Sequence, residues 1–121
     1  MAIFEVWDIV KVPFPYTDRP VRQRRPALVV GAGEIEATHG LLWLVMITSA
    51  ENRGWPGDVG ISDLRAAGLP APSIVRPAKI ATVDARDAQQ LGTLPRADRE
   101  AVASGLRRRA RDAQGKVALP P

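Results

Sequence analysis

Leu41-Leu42-Trp43-Leu44-Val45-Met46-Ile47, closed by Thr48-Ser49, is the stretch on which the fold turns. It has no polar side chain at either parity, and it is far too short to cross a bilayer as a helix. A strand apolar on both sides must be covered on both, by its own barrel and by a helix or a second copy of the chain. Upstream, Pro26 opens Ala27-Leu28-Val29-Val30 before Gly31-Ala32-Gly33, which predicts another strand buried on both faces. Before it, Val6-Trp7-Asp8-Ile9-Val10-Lys11-Val12 is rich in β-branched residues and is stopped by Pro13 and Pro15, so it predicts the first strand. Tyr16 to Arg25 is a polar, strongly basic loop, and Glu34 to Gly40 is expected to be a connecting loop.

Downstream, the Gly/Pro-rich loop Asn52-Arg53-Gly54-Trp55-Pro56-Gly57 leads to a short strand, Asp58 to Ile61, and a helical turn or two from Ser62-Asp63-Leu64 to Gly68. Ser73-Ile74-Val75-Arg76 and Lys79-Ile80-Ala81-Thr82-Val83 predict two further short strands split by Pro77. Many short strands between turn signals argue for a barrel or sandwich rather than a parallel sheet. The one strong helix comes last. Pro95 stands near its start, and Ala97, Ala101, Val102, Gly105 and Leu106 recur at helical spacing, with Arg96, Arg99, Arg107, Arg108 and Arg109 largely elsewhere. Residues after Arg111 are expected to fray. The expected fold class is mainly β with a C-terminal helix, in one domain over residues 1–121.

With 121 residues, 45% of them hydrophobic, the chain can build one real core. Cysteine is absent, which excludes a disulfide framework, a thiolate nucleophile and a Cys-ligated zinc, and which fits a reducing cytoplasm. Met1-Ala2-Ile3-Phe4-Glu5 has neither the basic start nor the apolar run of a signal peptide, so a soluble, cytoplasmic protein is expected. The net charge is +4, and lysine occurs only at Lys11, Lys79 and Lys116, so arginine supplies nearly all the positive charge. A guanidinium fork matches phosphate oxygens and suits a nucleic-acid partner, although a GC-rich genome produces the same bias.

His39 is the only histidine; it lies in a Gly-bounded loop without a serine or cysteine nucleophile motif, and solvent contact is its expected role. Asp8, Asp18, Asp58, Asp63 and Asp84 are scattered without metal-ligand spacing, so no metal and no cofactor are expected. Gly31-Ala32-Gly33 is too short for a phosphate loop, and Glu34 follows it. Arg24, Arg25, Thr48, Ser49 and Arg76 remain, arginines and hydroxyls at strand ends. They cannot activate water well, but RNA carries its own nucleophile, the 2′-hydroxyl, and guanidinium and hydroxyl donors on rigid strands can stabilise the charge that develops on phosphate. The residue types alone favour a plainer account, a solvated basic loop and a strand-closing turn.

The order of motifs goes further. Asp8-Ile9-Val10-x-Val12-Pro13-Phe14-Pro15-x-Thr17-Asp18, then Arg24-Arg25-Pro26-Ala27-Leu28-Val29-Val30, then Ile47-Thr48-Ser49, resembles the MazF/PemK family of toxin-antitoxin ribonucleases. Gly68-Leu69-Pro70-x-Pro72-Ser73-Ile74-Val75-Arg76, Lys79-Ile80-x-Thr82-Val83-Asp84 and Leu91-Gly92-x-Leu94 are similar to the family's later strands and to the approach to its terminal helix. The likeness runs over roughly residues 5 to 110, in the family's order.

The resemblance implies a twisted, SH3-like barrel and a homodimer. It also implies metal-independent cleavage of single-stranded RNA at short sequences, inhibition by a partly disordered cognate antitoxin, and operator DNA binding only through the antitoxin complex. On the family's pattern, Arg25 stabilises the scissile phosphate, Thr48 positions it with Ser49 beside it, and Arg76 matches an arginine that some members use as an acid. Arg19, Arg22, Arg24 and Lys79 are the expected RNA-binding cations. The chain departs from the pattern at Trp7, where members usually have glycine, in the acid-free loop from Arg19 to Arg24, and at Ala78, where some members place an aspartate as general base. Asp18 is then the candidate base. Two other functions share this fold or charge, a gyrase-poisoning toxin and a nucleic-acid-binding module without catalysis. Arg25 with Thr48 at strand ends favours the ribonuclease, and the tail Gly115 to Pro121 lacks the aromatic ending expected of a gyrase poison.

Overall fold

Leu42, Leu44, Val45, Met46 and Ile47 are all buried, as a strand covered on both sides requires. The computed structural model describes residues 3–13 and 23–115. Its strands are β1 (Asp8–Pro13), β2 (Arg24–Gly31), β3 (Leu41–Ser49), β4 (Val59–Gly60), β5 (Ser73–Asp84) and β6 (Gln89–Thr93). All pair antiparallel in one curled sheet of order β4-β5-β3-β2-β1-β6, so the fold is mainly β. Short helices α1 (Glu34–His39) and α2 (Leu64–Ala67) interrupt the strands, and α3 (Arg96–Gln114) closes the described chain.

Alternate residues of the central strands feed two apolar clusters, as the two-residue period of a strand demands. Ile9, Leu28, Val45, Ile47 and Val75 pack with Ala67 and Leu69, with Leu94, and with Val102 of α3. Val10, Val12, Ala27, Val29, Leu42, Leu44 and Met46 form the other cluster, with Phe4, Ala81 and Val83 against it. Ladder shifts at Ile9/Val10, Val29/Gly31 and Val45/Met46 bend the sheet, because an extra residue on one strand kinks it and tightens its twist. The edge strands β4 and β6 are not neighbours in the sheet; α2, which follows β4, packs against β6 and narrows the gap. A Cβ on Gly68 would lie 2.0 Å from the Leu91 carbonyl oxygen, and one on Gly92 would lie 2.4 Å from the Ala67 carbonyl carbon.

Several expectations are corrected. Glu34 to His39 is helical, not a loop, because buried Glu36 accepts hydrogen bonds from the Ile3 and Phe4 N–H groups, at 2.9 Å each, and anchors the segment. The two strands expected around Pro77 are one, Ser73–Asp84. The register shift between Val45 and Met46 carries Pro77 through a bulge, where its missing N–H leaves no ladder bond unmade. No strand is expected at β6, an edge strand in which Leu91, packed against the core, is the one apolar residue. The first strand begins at Asp8, because Val6 and Trp7 form a turn. On α3, Ala97 and Ala101 are exposed, and Asp98 is buried in line with Val102. Asp98 accepts from both the N–H (2.8 Å) and the hydroxyl (3.0 Å) of Ser62, which rotates the helix from the face its apolar spacing suggests. The helix also stays regular past Arg111, to Gln114, and the tail beyond residue 115 lies outside the described residues.

Candidate functional site

Strands β1, β2, β3 and β5 run side by side, and their ends, with the loops after β3 and α2, frame an open groove of about 730 Å³. Arg25, Thr48, Ser49, Arg76 and Lys79 line it, joined by Lys11, Asn52 and Trp55. Among the described residues no carboxylate lines this groove, so its field is that of cations and hydroxyl dipoles. Asp18, Arg19 and Arg22 lie outside the described residues. Arg24 is described and does not line the groove. Strand alternation points it away from Arg25, and its Nη2 donates to the Lys11 and Asp87 carbonyls at 3.1 and 3.3 Å.

Arg25 stands near the start of β2, half-buried, opposite Val12 of β1. One Nη donates to Gln23 Oε1, while its buried Nε–H has no hydrogen-bond partner among the described residues. A buried, unpartnered N–H on a cation is costly unless a ligand acceptor meets it. Thr48 and Ser49 close β3 across from Ile74 and Ser73. Thr48 Oγ1 accepts from Asn52 Nδ2 at 3.0 Å, and Ser49 Oγ accepts from the Glu51 N–H at 3.3 Å as it caps the 3₁₀ turn Ala50–Asn52. Among the described residues neither hydroxyl donates a hydrogen bond, so its proton can be offered to an incoming oxygen.

Arg76 is held differently. It is only 6% exposed, and its Nε and Nη2 grip Asp58 Oδ1 and Oδ2 at 3.0 and 2.9 Å. Nη2 also donates to the Asn52 carbonyl at 2.7 Å. The Asp58 carboxyl is pushed up by burial, but the Arg76 and Trp55 N–H bonds, with the Arg76 charge, outweigh this and hold it below the usual carboxylate range. Trp55 lies over this pair, its ring centroid 4.4 Å from Arg76 Cζ and 5.5 Å from Lys79 Nζ. Asn52, Trp55 and Asp58 were not singled out from sequence as site residues. The Gly/Pro-rich loop that carries them gave no local signal, because their roles depend on Arg76, which stands 18 or more residues away in the chain.

Ala78 is exposed, with no acid in its place, and His39 is exposed at the end of α1. Among the described residues no three acidic or histidine side chains come together as a metal site would need, and no helix is long and apolar enough to cross a membrane.

Residues 5–109 match the family described as PemK-like, MazF-like toxin of type II toxin-antitoxin system. Among solved structures, MazF (Form-I) from Deinococcus radiodurans is similar with a TM-score of 0.70 at 23% identity, over 93% of this chain and 97% of that one. Mycobacterium tuberculosis toxin MazF-mt6 gives 0.67 at 20% identity, over 85% and 95%. An endoribonuclease in complex with its cognate antitoxin, from a Mycobacterial species, gives 0.68 at 16% identity, over 87% and 92%. At these identities the structural likeness is one of fold. No curated protein matches the sequence.

Proposed function

The chain belongs to the PemK-like, MazF-like toxins of type II toxin-antitoxin systems, and from that premise we propose that it is an endoribonuclease that cuts single-stranded RNA at short sequences without a metal ion. The observation that carries this reading is the buried Nε–H of Arg25, without a hydrogen-bond partner among the described residues, in one groove with the hydroxyls of Thr48 and Ser49. All three groups belong to the lining of that groove, where a phosphate would bring acceptors and negative charge. When the 2′-oxygen attacks phosphorus in line, charge grows on the non-bridging oxygens, and donors already aimed there stabilise it without reorganising.

The 2′-hydroxyl must lose a proton and the departing 5′-oxygen must gain one. Asp18 is our candidate for taking the first. Arg76 is the candidate that the resemblance implies for giving the second, but its Nε and Nη2 donors are already committed to Asp58 and the Asn52 carbonyl. We assign Arg76 instead a positioning role: paired with Asp58, it holds the Asn52 carbonyl, and Asn52 in turn orients Thr48. Lys79 and Lys11 extend the cationic track, and Arg19 and Arg22 are proposed to continue it.

In this reading residues 1–121 form one cytoplasmic domain, the protein acts as a homodimer, and a cognate antitoxin competes with RNA for the groove. Operator DNA is reached only through the antitoxin complex. One similar solved structure is an endoribonuclease in complex with its cognate antitoxin, which supports that partner. Ala78 and the carboxylate-free lining favour, as a second reading, a module that binds RNA or antitoxin and cuts nothing.

The deciding experiment incubates purified protein with a long RNA, with and without a chelator, and maps the cut ends. Arg25→Ala and Thr48→Ala should each slow cleavage on the order of a hundredfold or more, the cost of about 3 kcal/mol for one oxyanion donor. Arg25→Lys should rescue only in part, since an ammonium cannot supply two parallel donors. Cleavage should survive the chelator and fail with a 2′-deoxy sugar at the cut. Equal rates for wild type and Arg25→Ala would refute the site, and wild type that binds RNA without cutting it would select the second reading.

A further inference from the structure

We propose that Trp55 is the platform on which one unpaired base of the bound RNA stacks, a subsite that rests on the ribonuclease reading above. Trp55 remains 45% exposed although it lines the groove beside buried neighbours. Arg76 is buried, so its guanidinium, 4.4 Å from the ring centroid, backs the indole from the protein side, and the exposed part of the ring shares the groove with Lys79, whose Nζ stands 5.5 Å from the centroid, placed to meet the phosphate of a stacked nucleotide. The backbone is held as firmly. The Trp55 N–H donates to Asp58 Oδ2 at 3.2 Å, and the Asp58 N–H returns to the Trp55 carbonyl at 3.1 Å.

A large aromatic side chain exposed on a rigid, cation-backed shelf inside a positive groove has the geometry of a stacking surface, because every base offers a π-face to it. The shelf is continuous with the phosphate donors: Arg76 holds Trp55 and the Asn52 carbonyl, and Asn52 holds Thr48. A ligand there must bring a flat, weakly polar face and negative charge within one residue's reach of each other. A nucleotide carries both on every unit. A peptide would have to place an aromatic side chain beside a carboxylate.

The test uses the full-length protein and an RNA oligonucleotide that carries the mapped cut site with a 2′-deoxy sugar, so that it binds without being cut. Affinity is measured for wild type, Trp55→Phe and Trp55→Ala, on the intact oligonucleotide and on a series with one abasic position each. Stacking predicts that Trp55→Ala binds roughly tenfold more weakly or worse, that Trp55→Phe keeps most of the affinity, and that one abasic position weakens wild type by a similar factor yet leaves Trp55→Ala unaffected. That coupling separates stacking from a merely structural role, because a loosened loop would weaken all oligonucleotides alike. Unchanged affinity in Trp55→Ala, or the same loss at every abasic position in both proteins, overturns the platform while the ribonuclease reading stands. Weakened antitoxin binding with RNA binding intact assigns the ring to the antitoxin and also overturns the proposal. A wild type that neither binds nor cuts RNA removes both readings together.

Discussion

Trp7 holds a backbone conformation that side chains other than glycine seldom take, with φ at +85°. The strain is maintained because its N–H donates to the Val29 carbonyl (2.9 Å) and its carbonyl accepts from the Leu94 N–H (2.8 Å), tying β1's start to β2 and to the entry of α3. Its ring packs on the core, with Arg99 5.8 Å from the centroid. Glycine would take this conformation without strain, whereas here the packing of the ring offsets that strain. Trp7→Gly and Trp7→Ala lose the same ring, but alanine keeps the strain, so the glycine variant should be the more stable by about 1 kcal/mol in urea unfolding, the reverse of the usual order. Asp58 supplies a second test. Its carboxyl is held below its unfolded value, so its contribution is complete above the ordinary carboxylate range and is lost as pH falls through the lowered folded value. Asp58→Asn should cost about 3 kcal/mol at neutral pH, because Arg76 is left buried without its partner. The variant should also lose part of the wild type's acid-induced fall in stability, followed by unfolding midpoints from neutral pH to about pH 2.

At the scale of elements, the sheet is closed by contact between backbones rather than by a further ladder. α2 approaches β6 so closely that neither Gly68 nor Gly92 has room for a methyl group, and what each would meet is backbone. Gly92→Ala should therefore destabilise by about 2 kcal/mol, the cost of overpacking a site that cannot yield. Gly60 is the control. It sits in β4, a Cβ there would meet nothing within 4 Å, and Gly60→Ala should leave the melting temperature nearly unchanged. The same closure accounts for what the pattern of residues concealed about α3. Its apolar spacing points to Ala97 and Ala101, but the Asp98 carboxylate receives two hydrogen bonds from Ser62, and a satisfied charge-assisted pair outweighs the burial of two methyl groups.

For the molecule as a whole, the two-sided burial expected of Leu41 to Ile47 is met within one chain except at half-buried Leu41 and at Trp43. That side chain is 51% exposed, and Ile80, across the ladder on the same face, is 57% exposed. A patch of two large apolar side chains on adjacent central strands supports the proposed homodimer. Trp43→Glu with Ile80→Glu should yield a folded monomer by light scattering, and a wild type that is monomeric at micromolar concentration would refute the dimer. Arg25, Lys79 and Lys11 share one groove, and if they neutralise three phosphates of a single strand, RNA binding should weaken roughly twentyfold for a fourfold rise in salt. An affinity indifferent to salt would show that phosphate contacts do not hold the RNA.

The β class, the first four strands and the terminal helix were legible in the sequence, because each depends on neighbours one to four positions apart: alternation, β-branching, proline stops and helical spacing. Arg25, Thr48, Ser49, Arg76 and Lys79, which the resemblance put forward, line one groove. Tertiary structure alone decided the rest, since the deciding partners are remote in the chain. Glu36 becomes a helix anchor only when Ile3 and Phe4 arrive, over 30 residues away. Pro77 sits inside one strand because a bulge in the ladder with β3 absorbs it. Arg24 and Arg25, adjacent and chemically identical, part company because strand alternation gives one of them the groove and the other a pair of backbone carbonyls. Trp55 becomes a shelf only where Arg76, fixed by Asp58, comes to lie beneath it. Local pattern sets which elements form; where their side chains meet is set by long-range hydrogen bonds and packing that no short window of sequence contains.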